Sequence, residues 1–157
     1  VLFRSLAKDV SLVVMDSFGL GNGRLFPAGP LREQPVFGLA RAQALVAIGE
    51  VRRPEGTPVL AANIEPTAEA RARLAGRRVV AFAGIGRPEK FFDLLRSIGC
   101  TLVTKKAFAD HHTFTRADLA PLRGAAAASG ATLVTTAKDS VRLDDLTGIE
   151  VLDVALR

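Results

Sequence analysis

The stretch VVAFAGIGRPEKFFDLLRSIG, residues 79–99, indicates the fold class of the whole chain. It opens with five consecutive apolar residues, a run that is typical of a parallel strand buried on both faces. A glycine-rich loop follows, and Pro88 suits the first turn of a helix. Apolar residues then recur with helical spacing at Phe91, Leu94, Leu95 and Ile98. The stretch therefore predicts one strand–loop–helix unit of an α/β protein.

Similar units are predicted along the rest of the chain. Apolar runs that predict strands lie at residues 12–16, 44–48, 59–64, 102–103, 131–135 and 150–154, and helical patterns lie at 35–42, 67–74 and 116–129. Their alternation predicts mostly parallel sheets with flanking helices, an α/β/α arrangement. A polar break at residues 52–57 predicts a domain boundary, which separates residues 1–53 from residues 54–157. The polar motifs follow strands, so we expect them at the carboxyl edge of a sheet, where such folds bind ligands.

The charge balance favours anionic partners. The chain of 157 residues carries 21 basic and 16 acidic side chains, a net charge of +5, which favours nucleotide phosphates, phosphorylated lipids or nucleic acid. It has no Trp or Tyr, so an aromatic platform for stacking single-stranded bases is not predicted. No apolar run reaches the roughly 18 residues of a membrane span. The first residues show neither an initiator Met nor a signal-peptide pattern, and we expect the chain to be a piece of a longer protein.

The only two histidines of the chain, His111 and His112, follow Asp110 in a loop between a predicted strand and a predicted helix. A histidine titrates near neutral pH, so beside a carboxylate it can exchange protons with a reacting group. Thr115 is predicted to be the N-cap of the helix, with Asp118 at its third position, a capping box that would hold the loop. The sequence alone leaves open an ordinary polar loop.

Two further loops predict anion sites, although an ordinary helix start stays open for each. In residues 84–88, Arg87 and the free amides of the following helix suit an anion. In residues 135–139, Lys138 follows a predicted strand and is expected to reach a phosphate. Nearer the start, the loop GLGNGR at residues 19–24 lacks the third glycine of a dinucleotide fingerprint, and no Gly-Lys-Ser/Thr occurs in the chain. Its glycines still allow the backbone to approach a phosphate closely.

Arg32 and Glu33 stand side by side after this loop. Arginine forms forked hydrogen bonds with phosphate oxygens, and a glutamate can hold a Mg²⁺ ion that is already bound to a nucleotide. A local surface ion pair is the alternative.

Four motifs, in this order, resemble those of one family. Residues 21–33 (GNGRLFPAGPLRE) resemble the most distinctive stretch of the tetraacyldisaccharide 4'-kinases, which act in lipid A biosynthesis. Residues 82–92 (FAGIGRPEKFF), 108–112 (FADHH) and 135–143 (TTAKDSVRL) are similar to three further signatures of that family. The resemblance extends from about residue 6 to the C-terminus.

The resemblance implies an ATP- and Mg²⁺-dependent kinase that phosphorylates the 4'-hydroxyl of a tetraacyldisaccharide 1-phosphate. The family acts at the cytoplasmic face of the bacterial inner membrane, as a peripheral protein. It has a larger P-loop-like lobe, of which residues 1–53 would be the C-terminal remainder, and a smaller α/β lobe, which would be residues 54–157. A nucleic-acid partner is not expected.

The resemblance implies roles for Arg32, Glu33 and His111, and the loops described above supply the other expected site residues. His111 maps to a histidine that cooperates with an upstream aspartate in catalysis, and Asp110 is expected to act with it. Glu33 is assigned to the metal. The nucleotide is expected to contact Arg32, Gly21, Asn22 and Arg24. Binding of a substrate phosphate is expected of Arg87, His112, Lys138 and Asp139.

Some family features are missing or altered. The P-loop and the catalytic aspartate would lie upstream of this chain, Gln34 stands for a Pro, and Ala137 stands for a Glu. We therefore expect the chain to be inactive alone. Two alternatives stay open. One is a manganese phosphoesterase of the Asp-His-His class, for which only Asp16 ends a strand in a comparable way. The other is a basic α/β module that binds nucleotide or nucleic acid without catalysis.

Overall fold

The computed structural model describes residues 7–51 and 56–157. In chain order its elements are β1 (Leu12–Asp16), α1 (Pro35–Ala40), β2 (Ala44–Ile48), β3 (Val59–Ala62), β4 (Ile64–Pro66), α2 (Ala68–Leu74), β5 (Arg78–Ala83), α3 (Pro88–Ser97), β6 (Thr101–Ala107), α4 (Arg116–Ser129), β7 (Thr132–Thr136), α5 (Ala137–Ser140), β8 (Ile149–Leu152) and β9 (Val154–Leu156). Among the described residues, no helix is both long and apolar enough to cross a bilayer.

The described residues divide into two compact units. The first contains the chain up to Ile64 together with the last two residues, Leu156–Arg157, and the second contains Glu65–Ala155. The boundary predicted after residue 53 lies outside the described residues. The observed division comes later in the chain because β3 pairs with β2 in the sheet of the first unit. The single strand predicted at residues 59–64 is in fact two strands, since the backbone of Asn63 turns away to bond with that of Arg157.

The first unit contains a three-stranded parallel sheet in the order β1-β2-β3. The central strand β2 is buried at its first four residues, as its unbroken apolar sequence predicts. In the register of this sheet, Val46 of β2 lies between Val14 of β1 and Leu60 of β3. The two outer side chains of this row are exposed, as is Leu12.

The second unit contains a four-stranded parallel sheet in the order β6-β5-β7-β8. Its central strand β5 is fully buried from Val79 to Ala83. One face of β5 packs with α2 and α3, through a cluster that includes Ala70, Leu74, Phe91, Phe92 and Leu95. Its other face packs with α4, through a cluster that includes Phe82, Phe114, Leu119, Leu122 and Ala126. The prediction of mostly parallel sheets with flanking helices is confirmed.

The helix α4 begins and ends where the sequence predicts. Thr115 and Asp118 form the expected capping box, and the chain leaves the helix through Gly130 at φ 60°. The strand β6, by contrast, is longer than the predicted 102–103. Within the described residues it is an edge strand that pairs with β5 alone, and most of its residues are exposed. It therefore accommodates polar residues such as Lys105, which interrupt the apolar pattern.

Candidate functional site

In the second unit, three loops meet at the carboxyl edge of the sheet because β5, β6 and β7 are parallel neighbours. They are the loop at residues 84–88, the loop at residues 108–115, and the turn that contains α5. Gly84 is the point at which they join. Its N–H donates to Asp139 Oδ2 (2.9 Å), and its carbonyl accepts from His111 N (3.0 Å). The predicted motifs are therefore brought together at one rim.

Close packing around Gly84 leaves little room for a side chain. A Cβ at this position would lie 3.2 Å from His112 Cβ, 3.2 Å from the ring of Phe114 and 3.3 Å from the carbonyl of Ala109. Backbone and packed rings have little freedom to move away from such a contact. The absence of a side chain at Gly84 lets the histidine loop lie directly on the end of β5.

Asp139 is fully buried and holds these loops in place. Its Oδ2 accepts hydrogen bonds from Gly84 N (2.9 Å) and from Thr136 Oγ1 (2.9 Å), and its Oδ1 accepts from Arg142 (3.2 Å). Both oxygens are thus engaged within the protein. The structure gives Asp139 the role of holding the loops together, and its assignment to a substrate phosphate stays a prediction.

Arg142 connects this buried carboxylate to the predicted catalytic histidine. One guanidinium nitrogen donates to Asp139 Oδ1 and to the Gly84 carbonyl, both at 3.2 Å, and the other lies 3.1 Å from His111 Nδ1. Sequence reasoning gave Arg142 no role. Its spacing of three residues from Asp139 at a short helix was the available signal, but the link to His111 depends on the tertiary fold.

His111 and Asp110 are exposed at the rim. His111 adopts φ 61°, a left-handed conformation that is uncommon for a residue with a side chain. Its N–H donates to the Gly84 carbonyl, which holds the loop in that conformation. Its Nε2 lies 3.7 Å from Asp110 Oδ2, too far for a hydrogen bond. The two side chains proposed for catalysis therefore face solvent from a fixed backbone.

His112 points into the loop and packs there. Its ring stacks on Phe108, with centroids 4.7 Å apart, and meets the edge of Phe114 at 5.2 Å. Its Nε2 lies 3.2 Å from Asp118 Oδ2. The ring is thus held between aromatic side chains with Nε2 facing a carboxylate, and the assignment of His112 to a substrate phosphate stays a prediction. The structure gives His112 the role of fastening the loop to the start of α4.

Asp118 is the acceptor for this loop. The pKa of Asp118 is lowered from 3.8 to about 2. The largest cause is the hydrogen bond from the Thr115 side chain, followed by the one from the Thr115 backbone and then by the hydrogen bond with the His112 ring. The carboxylate is thus ionised at neutral pH, where it serves both the capping box and the histidine ring.

Arg87 and Lys138 are both exposed on this edge of the sheet. Arg87 occupies the N-cap position of α3 without a side-chain cap bond, and Lys138 lies in the first turn of α5. Their assignment to a substrate phosphate stays a prediction.

The first unit carries the other predicted residues in the loop between β1 and α1. Asn22 organises this loop, since its Nδ2 donates to the Ala28 carbonyl (2.9 Å) and its Oδ1 accepts from Arg24 N (3.1 Å). Gly29 packs so closely against Asn22 and Arg24 that a Cβ there would collide with both. Gly21 has φ 62°, as a tight turn of this kind requires. The side chains of Arg24 and Arg32 are exposed.

Glu33 forms an ion pair with Arg41, a residue that sequence reasoning did not select. The hydrogen bond that Arg41 donates to the Glu33 carboxylate raises the pKa of Arg41 above its usual value. Lys8, Phe37 and these two residues line one pocket. In residues 7–51 and 56–157, no group of three or more His, Cys, Asp or Glu side chains is arranged to hold a metal ion. The manganese phosphoesterase alternative therefore gains no support from the described residues.

Comparison with known proteins identifies the family. The model of the tetraacyldisaccharide-1-P 4'-kinase family, LpxK, matches residues 3–156. The tetraacyldisaccharide 4'-kinase of Paramagnetospirillum magneticum is 54% identical over 97% of this chain and 50% of its own length, and that of Rhodospirillum rubrum is 50% identical over 94% of this chain and 50% of its own length. The chain thus spans about half the length of the curated relatives it matches.

A solved structure has the same fold. The crystal structure of "apo" form LpxK from Aquifex aeolicus in complex with ATP matches 98% of this chain and 50% of its own chain, with a TM-score of 0.68 and 24% sequence identity. The family match and the curated relatives confirm the resemblance drawn from the four motifs. The chain belongs to the tetraacyldisaccharide-1-phosphate 4'-kinase family.

Proposed function

We propose that this chain is the second half of a kinase that transfers the γ-phosphate of ATP to the 4'-hydroxyl of a tetraacyldisaccharide 1-phosphate. The observation that carries the proposal is the family match over residues 3–156, nearly the whole chain. The exposed His111 and Asp110 at the carboxyl edge of a parallel sheet support it, because ligands of such sheets bind there.

ATP and Mg²⁺ are the proposed cofactors. In the first unit, Arg32 is exposed and would donate to phosphate oxygens of the nucleotide, together with the loop that Asn22 organises. The carboxylate of Glu33 is chemically suited to Mg²⁺, which proteins often hold through one or two carboxylates in company with substrate phosphates. One of its oxygens contacts Arg41, so this arginine would orient the carboxylate. Bound Mg²⁺ would neutralise charge on the nucleotide phosphates.

The proposed task of His111 is to orient or tune an aspartate from the other half of the protein, which would accept the proton of the sugar hydroxyl. Phosphoryl transfer depends mainly on positioning and charge neutralisation, so a rigidly held group at the rim suits it. Arg87 and Lys138, both exposed cations on the same edge, are proposed to meet a phosphate of the substrate.

The proposed substrate is an anionic glycolipid, and the proposed location is the cytoplasmic face of the inner membrane, with peripheral contact. The net charge of +5 favours both an anionic substrate and an anionic membrane surface. A nucleic-acid partner is not proposed.

The test compares the full-length protein with this chain. Each would be incubated with ATP, Mg²⁺ and tetraacyldisaccharide 1-phosphate, and formation of the 4'-phosphate would be measured. We expect turnover by the full-length protein and none by this chain, which contains no Gly-Lys-Ser/Thr phosphate loop. Full-length Glu33→Ala should need a higher magnesium concentration for activity. A full-length protein that forms no 4'-phosphate would contradict the proposed function, and turnover by this chain alone would contradict its role as an incomplete half.

A further inference from the structure

We infer that Arg142 is a positioning residue that sets the tautomer of His111, so that the neutral imidazole presents Nε2–H at the rim as a hydrogen-bond donor. The tautomer follows from the geometry alone. Its catalytic consequence rests on the proposed function.

The contact between Arg142 and His111 defines which ring nitrogen carries the proton. A guanidinium nitrogen of Arg142 lies 3.1 Å from His111 Nδ1. Arginine has five N–H donors and no acceptor, so the imidazole nitrogen must accept in this hydrogen bond. A neutral imidazole that accepts at Nδ1 carries its proton at Nε2.

The guanidinium of Arg142 is held in place by two further contacts. Its other guanidinium nitrogen donates to the fully buried Asp139 and to the Gly84 carbonyl, both at 3.2 Å. Asp139 is itself held by Thr136 at the end of β7 and by Gly84 at the end of β5. The planar guanidinium is therefore clamped by a charge-paired partner, and it reaches His111 from one direction only.

The backbone of His111 is held by the same carbonyl that binds Arg142. The carbonyl of Gly84 accepts from both His111 N (3.0 Å) and Arg142 (3.2 Å). One carbonyl thus anchors the histidine backbone and the guanidinium that contacts its ring. His111 adopts the left-handed conformation, φ 61°, and its side chain is exposed, whereas the ring of His112 stacks on Phe108.

This arrangement makes His111 a hydrogen-bond donor at the rim. Its Nδ1 is engaged, and its Nε2 lies 3.7 Å from Asp110 Oδ2, beyond hydrogen-bond distance. With the proton at Nε2, the ring can donate a hydrogen bond from Nε2–H to an anionic oxygen at the rim. A carboxylate that accepts this hydrogen bond is oriented by it, whereas Nε2 in this tautomer has no lone pair with which to accept a proton.

The test uses this chain labelled with ¹⁵N in its two histidines. Long-range ¹H–¹⁵N correlation spectra at a pH where both rings are neutral report which nitrogen carries the proton, and a His112→Asn variant assigns the signals. We expect His111 in the Nε2–H form, with its Nδ1 resonance shifted by the accepted hydrogen bond. In Arg142→Met this shift should be lost and the Nδ1–H form should rise. In Arg96→Met, which removes an exposed arginine paired with Asp93, the spectrum should stay unchanged.

Two results would overturn the inference: His111 in the Nδ1–H form in the unaltered chain, or an unchanged His111 spectrum in a folded Arg142→Met variant. If Arg142→Met does not fold, Arg142→Lys decides the question. Lysine keeps a cation beside Asp139 but lacks the second nitrogen with which the guanidinium also reaches His111. The shift of the His111 Nδ1 resonance should therefore again diminish. An undiminished shift would overturn the inference.

A kinetic measurement on the full-length protein tests the catalytic consequence. Arg142→Met should lower kcat by about tenfold with little change in the KM for ATP, and Arg142→Lys should recover part of the loss. An unchanged kcat, with the tautomer altered, would contradict the positioning role in catalysis. An unaltered full-length protein without kinase activity would instead contradict the proposed function and leave the spectroscopic result standing.

Discussion

At the scale of single residues, two adjacent histidines have different surroundings because the backbone turns between them. His111 is exposed, and its Nδ1 is contacted by the guanidinium of Arg142. His112 lies in an aromatic cluster and faces Asp118. A pair that looks equivalent in sequence thus separates into one side chain that faces solvent and one that fastens the loop.

This difference predicts different consequences of the two alanine substitutions in the full-length protein. We expect His111→Ala to lower kcat by about 10²-fold, in the lower range for acid–base groups, with little change in the KM for ATP. His112→Ala should mainly reduce stability, by about 1–3 kcal/mol, because it removes ring packing and a hydrogen bond. Steady-state kinetics and urea unfolding of both variants would measure this. A large kcat loss in a fully stable His112→Ala variant would mean that the roles are reversed.

A second residue-scale prediction concerns Gly84. Its replacement by alanine places a Cβ within about 3.3 Å of His112, Phe114 and a backbone oxygen. We expect a loss of about 1–3 kcal/mol in the free energy of unfolding, as in other overpacked sites. The matched control is Gly124→Ala in α4, where a Cβ meets nothing within 4 Å. It should stabilise the protein by roughly 0.5–1 kcal/mol through helix propensity. Equal effects of the two substitutions in urea unfolding would contradict the packing argument.

At the scale of elements, the sequence predicts those parts whose cause is local. The apolar run of β5 and the capping residues of α4 are each a short stretch of adjacent sequence, and both elements appear where expected. The length of β6 and the break between β3 and β4 depend on neighbouring strands, so hydrophobic pattern alone misplaced them. The same distinction holds for the site. The Asp-His-His loop is visible in sequence. The contact between Arg142 and His111 joins that loop to the turn of α5, and Gly84 joins a third loop to both, so only the tertiary fold brings them together.

The start of α4 carries a prediction about pH. The pKa of Asp118 is lowered from 3.8 to about 2 in the folded state, chiefly by hydrogen bonds from Thr115. A lowered carboxylate pKa contributes stability that is fully present above the ordinary pKa and is lost as the pH falls through the folded-state value. Asp118→Asn should therefore be less stable than the unaltered chain at neutral pH, and the difference should shrink between about pH 4 and pH 2. Urea unfolding across this pH range would measure it, and a difference independent of pH would exclude the ionised cap as its source.

At the scale of the whole molecule, the sheet of the first unit is apolar where it faces solvent. Parallel sheets are ordinarily covered on both faces. Here Leu12, Val14 and Leu60 are 51%, 61% and 54% exposed, and the last two flank Val46 in one row of the sheet. The curated relatives are about twice as long as this chain. We therefore expect the other half of the full-length protein to cover this apolar face.

This expectation can be tested by producing the two halves as separate chains and mixing them. Kinase activity should appear only in the mixture, and Val14→Asp or Leu60→Asp should lower its recovery by at least about tenfold, because a charge on a face that becomes buried costs several kcal/mol. The control is Val141→Asp, a residue that is 82% exposed in the second unit and should leave recovery unchanged. Since all three side chains are exposed in this chain, its own stability should hardly change. Full recovery with Leu60→Asp and Val14→Asp would show that the other half does not cover this face.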